Sequence, residues 1–389
     1  MKLNFTDNKN KYKIILKKRI YIFLIFSLFF TKITFGQSYN SYFQQFEMRY
    51  NYGVSIPHHS YMNFIIKKHI MFGEFNYSIK TDGSRTFQKI WRCPEYGAGI
   101  LFGNLGNNEI LGYATSMYGF IGIPIIETEH LIFKYRLCTG LAYISEKYNN
   151  RSNNLNIIIG SHLNIHVQIS LLADIKPFNF PLYLVTGIVF NHYSVGAIKL
   201  PNLGINAVSL TAGLKYLYSQ YPYSLMNGRA PNMYNKELEI SAFYSAAIKQ
   251  NTSYSKYYFV NTINGDFGLR VSLKRTLGIG TRLVFDPSLK MWLEEEEKYQ
   301  NTSQLFRLGI HAFQEVYFLD DFSCLAQIGA YVYNRYSTGI GSWIYANIGL
   351  RYTFPNNMFV NILLKTQSLK ADCVEFSVGY RFMRYKFLK

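Results

Sequence analysis

Apolar and polar residues alternate with a period of two along stretch after stretch of this 389-residue chain, and that alternation restricts its fold more than any other feature. Successive side chains of a strand point to opposite faces, so a period of two sorts residues by face. Over 343–352, Ile344, Ala346, Ile348, Leu350 and Tyr352 share one side, and Trp343, Tyr345, Asn347, Gly349 and Arg351 share the other. Over 374–382, Val374, Phe376, Val378, Tyr380 and Phe382 alternate with Glu375, Ser377, Gly379 and Arg381. Over 131–138, Leu131, Phe133, Tyr135 and Leu137 alternate with Ile132, Lys134, Arg136 and Cys138. About eight such runs fall between 45 and 219 and about eight more between 234 and 384, with turns rich in Asn, Gly, Pro and Ser between them. The chain is therefore expected to be all-β and antiparallel.

Alternation alone fits two architectures. A soluble sandwich turns its apolar faces inward, whereas a transmembrane β-barrel turns them to lipid and keeps Arg and Glu in a polar lumen. Aromatic residues make up 17% of the chain, with 34 Tyr and 31 Phe, which suits the aromatic girdles of an outer-membrane barrel. The N-terminus points the same way. Lys9, Lys11, Lys13, Lys17, Lys18 and Arg19 precede the apolar run Ile20 to Phe30, and Gly36 lies just before Gln37. That order is expected of a cleaved secretory signal peptide over 1–36, the run being shorter than the roughly 20 residues of a spanning helix. The stretch Ser219 to Asn235, with Pro222, Gly228 and Pro231, is the best internal boundary. The expected organisation is a first barrel half over 37–219, a linker over 220–235 and a C-terminal strand region over 236–389. Two eight-stranded barrels and one wider barrel fit the pattern equally.

Eight Lys or Arg and one Asp lie in 1–36, which lowers the formal charge from +18 to +11 beyond them. That excess suits an anionic surface such as phosphorylated lipid, and an exported, strand-rich chain is not expected to bind nucleic acid. Cys93, Cys138, Cys324 and Cys373 are far apart without metal-ligand spacing, so no metal site is expected of them. A Cys324–Cys373 disulfide is compatible with an oxidising compartment.

One hairpin carries residues with chemistry. Its first strand places His192 and Ser194 on the side of Leu182, Leu184, Thr186, Ile188 and Phe190, while Asn191 and Tyr193 take the other. In the return strand Asn206 shares parity with Val208, Leu210, Ala212, Leu214 and Tyr216, and Ser209, Thr211 and Lys215 take the opposite, lumenal side. Asn206 is thus expected to face outward near His192. Two residues along a strand is roughly 6.6 Å, a gap that an imidazole and a hydroxyl can close. Serine needs a neighbouring base to remove its proton, and the base needs a third group to hold its tautomer. A His-x-Ser spacing by itself also describes ordinary polar residues at a strand end.

The longer string His192-Tyr193-Ser194, then Ile198-Lys199-Leu200-Pro201-Asn202-Leu203-Gly204-Ile205, with a polar residue fourteen positions after the histidine, resembles the active-site hairpin of PagL-type lipid A 3-O-deacylases. These are outer-membrane β-barrel esterases that remove the 3-O-linked acyl chain of lipid A with a His-Ser-Glu triad facing the outer leaflet. The resemblance implies an eight-stranded barrel ending in this hairpin, His192 as general base, Ser194 as nucleophile and Asn206 in the third triad position. It also implies Asn202 as an oxyanion-hole side chain, helped by a backbone N–H near Ala197. It further implies lipid A or lipopolysaccharide and outer-membrane lipid as partners, the outer membrane of a Gram-negative cell as location, and no cofactor. Asn206 departs from the family's Glu, and Val195-Gly196-Ala197 departs from its Asn-Ala-Gly. The resemblance spans 45–219, and the C-terminal half has no His-x-Ser counterpart. An inactive barrel with a binding, channel or structural role is the alternative.

The other histidines are expected to be structural. His162 and His166 lie roughly 13 Å apart on a strand, too far to share a metal ion. His58-His59 follows Pro57 and reads as a turn, and His311 alternates with Arg307 and Glu315 on a lumenal side.

Overall fold

The computed structural model describes residues 43–177, 180–218, 237–335, 343–368 and 370–386, with side chains of the last segment described to Phe382. The expected signal peptide over 1–36 and linker over 220–235 lie outside the described residues. Two closed antiparallel barrels of eight strands each form the fold, so the wider single barrel is not what this sequence builds. The first runs β1 (Phe43–Ile56), β2 (Ile70–Lys80), β3 (Glu95–Asn104), β4 (Tyr113–Glu127), β5 (Leu131–Ile144), β6 (Leu163–Ile175), β7 (Leu182–Ser194) and β8 (Ile205–Leu217). The second runs β9 (Glu237–Lys249), β10 (Tyr258–Ser272), β11 (Arg275–Phe285), β12 (Phe306–Tyr317), β13 (Phe322–Asn334), β14 (Ile344–Thr353), β15 (Met358–Gln367) and β16 (Lys370–Lys386). β8 pairs back onto β1, and β16 pairs back onto β9. Each half consumes its own edges, leaving none through which the two sheets could merge.

Side-chain alternation follows the sequence pattern. Leu184, Ile188, Leu210 and Leu214 on β7 and β8, and Phe376, Val378 and Phe382 on β16, are exposed on the barrel exteriors. Charge is buried inside. In the first lumen the carboxylates of Glu47, Glu74, Glu95 and Asp174 interleave with Arg49, Lys134, Arg136 and Lys215. Arg136 reaches Glu47 at 2.7 and 2.8 Å and Glu95 at 2.8 Å, and Lys134 and Lys215 each reach Asp174 at 2.6 Å. The second lumen pairs Glu315 with Arg351 at 2.8 Å and Asp372 with Lys249 at 2.8 Å and Lys365 at 2.7 Å. An apolar exterior over a charged interior is the arrangement of a barrel solvated by lipid, where backbone groups must be satisfied within the sheet.

Four connections of the first barrel, 57–69, 105–112, 145–162 and 195–204, lie at one end. There Met62, Leu105, Leu111, Ile158, Ile159 and Tyr193 join one buried apolar cluster that fills the barrel mouth. The two barrels touch at both ends. Trp91 Nε1, in the 81–94 connection, donates to the carbonyl of Tyr317 at the end of β12 at 2.9 Å, and Gln250 meets the 195–204 loop at the other end. All four cysteines are free. The Cys324–Cys373 pairing is therefore not formed: β14 and β15 separate β13 from β16, about 14 Å at three strand spacings, against a disulfide Cα limit of about 7 Å.

Candidate active site

β7 and β8 are antiparallel neighbours whose register places His192 directly opposite Asn206. Along β7, Val185, Val189, Asn191 and Tyr193 are buried toward the lumen, which turns His192 and Ser194 outward at the end of the apolar face. Asn206 likewise alternates with buried Ile205 and Ala207. His192 Nδ1 and Asn206 Oδ1 are 2.6 Å apart.

The direction of that bond follows from the groups beyond it. His58 Nε2 lies 3.0 Å from the Leu203 carbonyl, and a carbonyl can only accept, so this nitrogen carries the proton. Neutral His58 then presents a lone pair at Nδ1, to which Asn206 Nδ2 donates at 3.3 Å. With its N–H2 turned to His58, Asn206 offers Oδ1 to His192, which donates from Nδ1. One lone pair remains on the His192 ring, at Nε2, which is the tautomer of a general base. His58 fixes which way the Asn206 amide points.

Two donors converge on the serine. Asn202 Nδ2 lies 2.9 Å from Ser194 Oγ, and the Gly196 N–H lies 3.0 Å from it. Asn202 also donates to the Gly196 carbonyl at 2.6 Å, which ties the two together. Ala197 faces elsewhere, its carbonyl accepting from Gln250 N at 2.8 Å, so the backbone N–H on Ser194 comes from its neighbour Gly196. Gly204 has φ +77°, and a Cβ there would stand 3.2 Å from His192 Cε1 and 3.4 Å from Ser194 Cβ. Glycine alone allows both that backbone conformation and that approach.

His192, Ser194, Asn202 and Asn206 thus come together on the outer face, with Ala197 in the loop that carries the donors. His58 and Gly196 join them. Gly196 adjoins the sequence-predicted positions, whereas His58 lies far upstream in a bend where neither periodicity nor spacing marks it. His166 sits in the lumen, 2.8 Å from Asn191 Oδ1 and stacked on Tyr193. His162 bonds the Ile144 carbonyl at 2.8 Å. In the second lumen His311 lies between Asp266 at 2.9 Å and the Tyr345 hydroxyl at 3.1 Å.

Residues 71–215 match the family model described as lipid A 3-O-deacylase (PagL), and residues 236–385 match the model described as acyloxyacyl hydrolase, C-terminal domain. No curated protein matches the chain. Solved structures similar to it include the outer membrane protein Omp33 of Acinetobacter baumannii, at 6% identity, 88% of this chain, 99% of that one and a TM-score of 0.18. OccK5 (OpdH) of Pseudomonas aeruginosa matches at 8% identity, 88% of this chain, 98% of that one and a TM-score of 0.22. Likenesses this slight carry no weight for fold or function.

Proposed function

We propose, for a chain that belongs to the PagL family of lipid A 3-O-deacylases, that it hydrolyses a 3-O-linked acyl ester of lipid A in the outer membrane of a Gram-negative cell, with Ser194 as nucleophile. In this reading Ser194 Oγ attacks the acyl carbonyl carbon while His192 Nε2 takes its proton. The carbonyl oxygen, now bearing negative charge, takes hydrogen bonds from Gly196 N–H and Asn202 Nδ2, which already converge on Oγ and so lie within reach of an oxygen on the carbon bonded to it. The sugar 3-oxygen leaves with the proton from His192. Water, deprotonated by the same nitrogen, attacks the acyl-serine; the acyl carbon–Oγ bond breaks, His192 returns the proton to Ser194 Oγ, and the fatty acid is released. Asn206 holds the imidazole without adding charge, so orientation is what it supplies.

The observation that carries this reading is the chain from the Leu203 carbonyl through His58 and Asn206, which leaves the lone pair of His192 at Nε2, on the same outward face as a serine held by two donors. Its placement on the outer face suits a lipid substrate, since an acyl chain can lie along exposed Ile188 and Leu210. Lys67, Lys68 and Lys199 are exposed at the same end of the barrel, where a phosphorylated head group would sit. A conducting pore finds no support in the first lumen, which is crossed by ion pairs and filled at the loop end by apolar side chains. Mass spectra of lipid A from cells expressing the wild type and Ser194→Ala test the proposal. Loss of one 3-O-linked acyl chain in the first alone is expected, and identical spectra with both barrels folded would overturn it.

A further inference from the structure

The loop that carries the two donors is not held by its own barrel alone. Gln250 is the first residue after β9 and is buried, at 7% exposure, at the boundary between the barrels. Its N–H donates to the Ala197 carbonyl at 2.8 Å, and its Oε1 accepts from the Leu200 N–H at 3.1 Å. Its Nε2 is anchored in turn on the Ser255 carbonyl at 3.0 Å, within the 250–257 connection of the second barrel. That connection is stiffened by Asn251, which donates to the Ser288 carbonyl at 2.7 Å. Gln250 therefore grips Ala197 and Leu200, both of which lie between Gly196 and Asn202, the two donors on Ser194.

Packing repeats the hydrogen-bond pattern. Val374 has the outward parity of Phe376 and Val378, which are 57% and 53% exposed, yet Val374 is only 2% exposed. A Cβ placed on Gly196 would stand 3.5 Å from Val374 Cγ2 and 3.9 Å from Leu364 Cδ1. The catalytic loop of one barrel thus covers an outward face of the other. Gly196 has φ +63°, a conformation open to glycine without strain but not preferred by it over others, so its N–H is aimed by the contacts of the loop.

We propose that the C-terminal barrel is a built-in brace for the oxyanion loop, with Gln250 as the positioning residue that keeps the Gly196 N–H and Asn202 Nδ2 aimed at Ser194. Gln250 touches no reacting atom and acts through the loop. The inference rests on the esterase reading for its effect on rate, though not for its effect on the loop.

The full-length protein in detergent, with Gln250→Met and Gln250→Glu, tests it through deacylation kinetics on lipid A and deuterium exchange over 195–204. Methionine keeps the bulk and removes both the acceptor for Leu200 and the donor to Ser255; glutamate loses the donor alone and keeps the acceptor. Gln250→Met is expected to lower kcat about tenfold, on the scale of one hydrogen bond lost to the loop of a preorganised site, with KM moving less than about twofold. It should also speed exchange in 195–204 and leave 182–191 unchanged. Gln250→Glu is expected to restore most of kcat and of the protection. Unchanged loop exchange in Gln250→Met, or equal losses in both variants, would overturn the brace. A wild type that releases no acyl chain while Gln250→Met still loosens 195–204 would remove the esterase reading and leave the brace standing.

Discussion

At the scale of single residues, the informative feature is the amide of Asn206 set against His192 Nδ1. A carboxylate beside His192 would accept from Nδ1 in either orientation and would favour the imidazolium that forms during attack. An amide does the first only when its oxygen faces the ring, and a flipped Asn206 would point N–H2 at Nδ1. His58 supplies the partner that rejects the flip. His58→Ala is therefore expected to lower the deacylation rate by roughly fivefold, about 1 kcal/mol for one hydrogen bond. In the Asn206→Glu background, which is expected to raise the rate, the same His58→Ala change should cost little. A double-mutant cycle measures this coupling, and equal costs in both backgrounds would deny His58 its orienting role. The outward facing of His192, Ser194 and Asn206 was legible from parity alone, because a strand residue has only two faces to choose from, whereas their roles came from the family resemblance. His58 was not, since it sits in an irregular bend and meets Asn206 only after β1 has paired with β8.

At the scale of elements, regular strands set the placement and an irregular loop sets the chemistry. β7 and β8 bring His192 and Asn206 opposite one another, and the ladder fixes that register over twelve pairs from Leu182 to Tyr193. The 195–204 loop has no such ladder and depends on Gly204, Asn202 and the second barrel. Gly204→Ala would place a methyl against the imidazole in a left-handed backbone conformation, at a local cost of about 1–3 kcal/mol. Deacylation is expected to fall at least tenfold, since about 1.4 kcal/mol is a factor of ten in rate. Heat-modifiable gel mobility should show both barrels intact; a rate within twofold of wild type would show that the loop yields without harm to the site. Alternation made the strands readable because it is a local property. It was silent on two barrels against one, which depends on which distant edges meet, such as β8 with β1.

At the scale of the whole molecule, each lumen holds apolar clusters, such as Phe243, Phe313, Phe359 and Leu363 in the second, beside networks of buried charge. Such networks tolerate loss of a partner poorly, because the remaining ions stay out of water. Arg136 bonds both Glu47 and Glu95, and its ring partner Phe120 lies 4.2 Å from the guanidinium. Arg136→Met is expected to destabilise the first barrel by roughly 3 kcal/mol, read as a lower temperature for loss of the heat-resistant gel form. An unchanged temperature would mean that Arg49, Lys134 and Lys215 suffice for the four carboxylates. The interior positions were visible in the sequence as Lys134 and Arg136 in an otherwise apolar run, but their partners come from other strands and were not.

The covered valine at the boundary of the barrels has a meaning for inheritance as well as for geometry. Gly196 and Val374 lie far apart in the sequence yet face one another across the boundary, where a Cβ on Gly196 would already touch Val374, so a side chain larger than a methyl at 196 would have to be answered at 374. Neither barrel is free to drift by itself. A lineage in which the second were lost would have to rewrite the loop of the first.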